Sequence, residues 1–160
     1  MRTITRRRST ENLYDYISGY VDGEGCFSVS FLKRPKLTIG IETRPSFSVS
    51  QNEDRAEILY HMQRTFQCGH MRRDYSDKTL KYEVRNLSDL CDRIIPHFRM
   101  YPMISGKQQD FELFAQVCEL MKERKQHTKL GMRQIIRLAF QMNPSGKRKY
   151  MQAELLALLR

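Results

Sequence analysis

The hydrophobic pattern of this chain switches between a helical period and a period of two. Residues 13–21, Leu-Tyr-Asp-Tyr-Ile-Ser-Gly-Tyr-Val, read as a helix, with Ser9 or Thr10 as its cap and Glu11 in its first turn. It is predicted to end at Asp22-Gly23-Glu24-Gly25, where glycine tolerates left-handed backbone. Strict alternation follows. Phe27, Val29 and Phe31 face one way and Ser28 and Ser30 the other; after the basic turn Lys33-Arg34-Pro35-Lys36, Phe47 and Val49 oppose Ser46, Ser48 and Ser50. That is an antiparallel pair with one buried and one polar face.

The same sequence of signals then recurs. A helix is predicted over Asn52–Phe66 with Glu53 and Asp54 in its first turn, ended by Cys68-Gly69. A second strand pair places Met71, Leu80, Tyr82 and Val84 inward and His70, Arg72, Lys81, Glu83 and Arg85 outward, turning at Ser76-Asp77-Lys78. Ser88 is the expected cap of a helix carrying Leu90, Cys91, Ile94 and Ile95 and stopping before Pro96. Helices over about Ser105–Lys125, Lys129–Met142 and Tyr150–Leu159 close the chain, with Asn143-Pro144-Ser145-Gly146 as a break. The prediction is one α+β domain, αββαββα, with a four-stranded antiparallel sheet backed by helices and a helical C-terminal extension. Residues 1–9 form a basic arm and residues 10–160 the domain.

Charge changes the picture. Lys and Arg number 28 against 18 Asp and Glu, a formal +10 in 160 residues. A surplus of this size suggests a polyanionic partner: nucleic acid first, an anionic membrane surface second. No apolar run is long enough to span a membrane. Arg2, Arg6, Arg7 and Arg8 have no apolar stretch behind them, so they do not make a secretory signal; a short transit peptide or a phosphate-touching arm both remain open. Cys26, Cys68, Cys91 and Cys118 show no CxxC or zinc spacing and read as reduced core residues, suiting an intracellular compartment. His61, His97 and His127 show no ligand arrangement.

Residues 17–25 run apolar, small, Gly, large, apolar, Asp, Gly, acid, Gly. In that order, and in the succession of elements around it, the chain resembles the LAGLIDADG homing endonuclease family over roughly residues 10–125. The residues argue independently in the same direction. Gly19 and Gly23 share a helix face, and small residues there let two helix backbones approach closely. One copy of the motif then implies two chains paired on a two-fold axis, with Ile17, Gly19, Tyr20, Asp22 and Gly23 at the dimer interface. Glu24 would stand beside its symmetry mate. Two such carboxylates repel unless cations bridge them, the layout for Mg²⁺ and two-metal phosphodiester hydrolysis. Mn²⁺ is an alternative ion and Ca²⁺ a non-cleaving substitute. The plain alternative is a solvated carboxylate on a glycine turn.

The resemblance implies further roles. Asp22 is structural, bonding at the helix ends across the interface, and Gly23 lends a backbone carbonyl to the metal. Gln51 orders water at the metal site. Arg55 and Lys107 match basic positions of the active-site surroundings, with Lys107 stabilising charge near the scissile phosphate. Ordinary phosphate contact or a solvated helix start is the alternative for Arg55 and Lys107, and a strand-end role for Gln51. The outward sheet face is the candidate DNA saddle: Ser28, Ser30, Arg44, Ser46, Ser48, Ser50, His70, Arg72, Lys81, Glu83 and Arg85, with Lys33, Arg34 and Lys36 for the phosphate backbone. Glu42 and Glu83 either accept from cytosine or are simply solvated.

The resemblance thus implies a homodimeric, metal-dependent double-strand DNA endonuclease with a long pseudo-palindromic target, encoded by an intron. It implies cleavage across the minor groove leaving short 3′ overhangs. The rival readings are an RNA maturase that assists its host intron and a non-cleaving DNA-binding regulator. The compartment would be bacterial or archaeal cytoplasm, or an organelle matrix or stroma.

Overall fold

The computed structural model describes residues 2–160 in their backbone and residues 10–160 in their side chains. The side chains of the basic arm, Arg2 and Arg6 to Arg8, lie outside the described residues.

Helix α1 (Arg2–Glu24) runs straight into strand β1 (Gly25–Lys33). Ser9 and Thr10 fall inside the helix, so neither caps it. Nor do glycines 23 and 25 adopt left-handed backbone; the positive-φ glycines are Gly40 and Gly69. What the junction requires at Gly25 is space. A Cβ there would lie 2.5 Å from Val21 Cγ1 and 2.8 Å from the Val21 carbonyl oxygen. The strand can leave the last helical turn without a connecting loop only because that atom is missing.

β2 (Ile41–Asn52) pairs antiparallel with β1, bringing Ser28 opposite Ser46 and Cys26 opposite Ser48. A 3₁₀ turn (Glu53–Arg55) then precedes α2 (Glu57–Phe66), so the expected single helix from Asn52 is split at Ala56. β3 (His70–Asp74) and β4 (Thr79–Val84) form the second hairpin. β4, not β3, docks on β2, giving the order β1-β2-β4-β3 with every pair antiparallel.

Asn86, rather than Ser88, caps the next helix by accepting from the Asp89 amide at 3.1 Å. The helix also does not stop at Pro96. α3 (Leu87–Asp89) passes through a π turn (Leu90–Ile94) into α4 (Ile95–Met100). The wide turn shifts the Ile95 amide onto the Leu90 carbonyl, five residues back. Pro96 therefore falls in the first turn of a new helical segment, where its missing N–H costs little. α5 (Lys107–Lys122), α6 (Lys129–Ala139) and α7 (Gln152–Ala157) complete the chain as expected.

The core lies between the apolar sheet face and the helices. Phe27 is its hub, with ring centroids 5.2–5.3 Å from Phe47, Phe98, Phe111 and Phe114. All five rings are essentially inaccessible. Burial of this kind stabilises by about 1.5–3 kcal/mol per side chain, and it clamps α5 and α4 onto β1 and β2. The four cysteines are free, but Cys26 is exposed on the polar sheet face rather than in the core.

Candidate nuclease site and nucleic-acid interface

The end of α1 is the best-defined polar centre. Its faces have separate jobs. Ile17 and Val21 are fully buried in this chain's own core, so Ile17 lends no surface to a helix partner. Ser18 faces the α4 segment, donating to the Tyr101 carbonyl at 2.6 Å with His97 Nε2 at 3.2 Å. Burial pushes the His97 imidazole down to about 4, so it is a neutral core residue. Gly19 and Gly23 point away from the protein, and an added Cβ at either would meet nothing within 4 Å.

Asp22 makes its bonds within the chain. One carboxylate oxygen accepts from the amides of Ile104 and Ser105 at 3.2 and 3.1 Å, and the other accepts from the Ser105 hydroxyl. Burial alone would raise this carboxyl. The Ser105 hydroxyl, the two amides and the Lys107 charge outweigh it and hold Asp22 below its ordinary 3.8. Asp22 thus fastens the loop that launches α5. The same loop presents Ile104, 98% exposed, next to the motif helix.

Lys107, the first residue of α5, is delivered by that loop to the end of α1. Its ammonium donates to the Val21 carbonyl at 3.1 Å and the Gly25 carbonyl at 2.5 Å. Val21 lies in the last turn of α1 and Gly25 opens β1, so the ammonium bridges the helix–strand junction, where a cation also complements the helix dipole. Glu24, in the same turn, is exposed and makes no hydrogen bond or ion pair among the described residues. Lys107 therefore reaches the turn that carries Glu24, without a described contact to its carboxylate. Gln51 and Arg55 are not joined to them by any described contact. Gln51 falls on the helix side of β2, donating to the Tyr20 hydroxyl at 2.5 Å and accepting from the Asn52 amide at 2.8 Å. Arg55 shares with Gln51 and Tyr20 a shallow depression on the flank of α1.

Among the described residues no three His, Cys, Asp or Glu side chains gather into a metal cage. One carboxylate at a helix end, beside backbone carbonyls in its last turn, still fits a hard divalent ion such as Mg²⁺. That ion keeps several waters and needs only one or two protein carboxylates. Glu24, with the Gly23 carbonyl, is the donor set that fits.

On the polar sheet face, register aligns Cys26, Ser48, Glu83 and His70 in one row across four strands, and Ser50, Lys81 and Arg72 in the next. Glu83 is neither solvated nor offered to a ligand. Its side chain is 3% exposed, with Arg85 at 3.1 Å, His70 at 3.6 Å and Lys81 at 3.7 Å. The Ser46 hydroxyl also donates to it at 3.4 Å. Burial would push this carboxyl up, but Lys81, Arg85 and Arg72 prevail and keep it below its ordinary 4.5. Glu42 similarly ties Arg34 at 2.8 Å to Arg44 at 2.9 Å, which lowers its carboxyl. Arg72 is exposed and makes no described ion pair. Lys33 departs from the expectation. Alternation puts it on the helix side of β1, where it pairs with Glu154 of α7 and lies 4.9 Å from the Tyr150 ring.

Sequence reasoning missed Ser105, because a serine two residues before a helix carries no mark of an aspartate 83 residues away. It missed the residues that guard β1 as well. β1 is an edge strand, yet Asn143 Nδ2 donates to the Phe27 carbonyl at 2.8 Å and Arg148 to the Val29 carbonyl at 2.9 Å. The asparagine in the helix-breaking Asn-Pro-Ser-Gly run was the available signal. Nothing in Lys147-Arg148-Lys149 distinguishes the middle residue.

Among the described residues no helix is long and apolar enough to cross a membrane. The sequence model of the LAGLIDADG endonuclease family matches residues 17–118. Probable intron-encoded endonuclease 2 of Neurospora crassa is 33% identical over 122 residues, 76% of this chain and 27% of the relative. Homing endonuclease I-ApeII of Aeropyrum pernix is 30% identical over 106 residues, 66% of this chain and 62% of its own length. The chain spans about a quarter of the length of the Neurospora and Podospora relatives it matches. Among solved structures, the homing endonuclease I-TnaI superposes with a TM-score of 0.83 at 27% identity, covering 92% of this chain and 97% of that one. The homing endonuclease I-LtrWI, solved bound to target DNA, gives 0.80 at 29% identity over 93% of this chain and 57% of its own. On the match over residues 17–118, together with the αββαββα fold that carries it, this chain belongs to the LAGLIDADG endonuclease family.

Proposed function

We propose that this chain is a site-specific, Mg²⁺-dependent double-strand DNA endonuclease that acts as a homodimer on a long pseudo-palindromic target. The observation that carries the reading is Glu24: a carboxylate without a partner among the described residues, at the end of a helix whose glycine face is open, one residue from the sheet that would hold DNA. A two-fold axis along that face puts two Glu24 side chains together, one for each strand. The open glycine positions and the exposed Ile104 beside them support such an axis. Tyr20 and Asp22 flank it, with Asp22 working through the Ser105 loop.

Glu24 and the Gly23 carbonyl would hold the ion, which supplies charge stabilisation and an acidified water for hydrolysis. Lys107 keeps the Glu24 turn in place through Val21 and Gly25, and its positive charge favours a phosphate at that turn. Gln51 and Arg55 border the adjoining depression and would order water or phosphate there. The sheet would lie in the major groove, with Ser28, Ser30, Ser46, Ser50, Arg72 and Arg85 toward base edges and Lys36 toward phosphate. The similarity to intron-encoded relatives supports an intron-borne origin and work inside the cell, at an intron-bearing gene.

The test is incubation of the purified protein with a duplex made by joining the exons that flank its reading frame. Cleavage of both strands at one position in Mg²⁺, and none in EDTA, is expected. Tight binding to that duplex with no cutting would move the reading to a non-cleaving regulator.

A further inference from the structure

We infer that Ser105 is a positioning residue for the cleavage reaction: its hydroxyl links Asp22 of the motif helix to the Lys107 backbone and so aims the lysine at the Glu24 turn. The inference rests on the nuclease reading above and deepens it at the same site.

α5 begins without an ordinary cap. Gly106 stands at the cap position and has no side chain to accept from the first amides, which a helix start leaves without partners. The Ser105 hydroxyl oxygen does this instead, accepting from the Lys107 amide at 3.2 Å. The same hydroxyl is a donor, and its proton goes to the Asp22 carboxylate. An ionised carboxylate only accepts, so the direction of that bond is fixed. With its proton committed to Asp22, the hydroxyl turns its lone pairs toward the Lys107 amide.

The loop itself has other anchors. Asp22 holds the Ile104 and Ser105 amides at 3.2 and 3.1 Å whatever side chain stands at 105. Gln108 accepts from the Met103 amide at 3.0 Å and ties the loop to α5 from the other side. Neither contact reaches Lys107. The Ser105 hydroxyl is the described bond that joins the Lys107 backbone to Asp22. From that start the lysine side chain meets the Val21 carbonyl at 3.1 Å and the Gly25 carbonyl at 2.5 Å, before and after Glu24 in the chain. An ammonium on a flexible four-carbon stem has many rotamers that miss both carbonyls, and a fixed backbone start selects those that meet them. Removing the hydroxyl leaves the loop fastened and loosens the aim of the lysine.

The experiment is single-turnover cleavage of the duplex that joins the flanking exons, with protein in excess, so that the rate reports chemistry rather than binding. Ser105→Ala should cut about 10- to 100-fold more slowly, the scale set by a misplacement of about 1 Å. Its affinity for the same duplex in Ca²⁺ should match wild type, and its melting temperature should fall by only a few degrees. Ser105→Thr keeps the hydroxyl and should restore the rate. Because Ser105 acts through Lys107, adding Ser105→Ala to Lys107→Met should slow cleavage no further. A wild-type rate for Ser105→Ala overturns the inference, as does a loss in affinity rather than in rate. A threonine variant as slow as the alanine one overturns it too. So does an undiminished further loss in the Lys107→Met background, which would make Ser105 independent of the lysine. In each of these cases wild-type cutting leaves the nuclease reading intact. A wild-type protein that binds the duplex without cutting it overturns both.

Discussion

Replacing Glu83 with glutamine keeps the shape of the side chain and removes the charge at the centre of the sheet face. The carboxylate is 3% exposed, but the cations around it are not buried: Arg85 and His70 are each 58% exposed and Lys81 is 30% exposed. Breaking a buried pair costs about 3–5 kcal/mol when the abandoned charge stays buried. Here the abandoned charges rehydrate, so the cost falls toward the surface range, about 0.2–1 kcal/mol for each of the two permanent cations. A total of about 0.4–2 kcal/mol lowers the melting temperature by roughly 1–8 °C in a chain of this size. The effect on DNA should have the opposite sign. Arg85 and Lys81 are freed, so affinity for random duplex should rise and the salt slope should steepen by up to about 0.9 per freed cation. Discrimination between target and random duplex should fall, because neither cation is held in register. Fluorescence anisotropy on both duplexes across a salt series reads all three quantities. If Glu83→Gln left random binding unchanged and lost affinity only at a single C·G pair, Glu83 would be reading cytosine and the account of it as an organiser would be wrong.

Three further outcomes follow from the end of α1. Gly19→Leu should leave the melting temperature of the chain unchanged or slightly raised, since the site is open and leucine favours helix over glycine by up to about 1 kcal/mol; the dimer should be lost in sedimentation, and a persisting dimer would exclude this face as the interface. Asp22→Asn should cost about 1–2 kcal/mol through weakened bonds to the Ser105 loop. Because the Asp22 carboxyl is held below its ordinary 3.8, its stabilisation is complete above that pH and is lost as the pH falls through the lower folded-state value; urea midpoints should therefore converge for the two proteins in acid, and a constant gap would refute the assignment. Lys107→Met should destabilise by about 1–2 kcal/mol, because the Val21 and Gly25 carbonyls at the helix–strand junction lose a charged donor, and should slow cleavage without abolishing it.

Alternation made the sheet legible. Phe27, Val29, Phe47 and Val49 face inward opposite a serine ladder, and the same period names the second hairpin. Strand order was not legible, since pairing β4 rather than β3 with β2 depends on how α2 crosses the sheet. The motif fixed where α1 ends, but the reason for Gly25 is a 2.5 Å approach to Val21, a distance between residues that no local propensity encodes. The motif alone puts Ile17 at the interface; the helix turns it into the core instead, because the same period that exposes Gly19 and Gly23 buries Ile17 and Val21. Glu24 and Lys107 are 83 positions apart, and only the resemblance linked them. Lys33 reads as part of a basic turn in the sequence, but β1 still alternates through it and turns it to the helix side. Alternation does not tell a solvated Glu83 from a buried one, because its surroundings combine Lys81 and Arg85 along its own chain segment with Ser46 of β2 and His70 of β3.

The most direct test of the central claim is the cleavage rate of Glu24→Gln on the cognate duplex in Mg²⁺. The substitution is isosteric at an exposed position without described partners, so folding, dimerisation and binding of the target in Ca²⁺ should be retained. Cleavage should fall by orders of magnitude, because the carboxylate that holds the ion is gone while the groups that hold DNA remain. Cutting at the wild-type rate would contradict the account and require a different acid at the scissile phosphate.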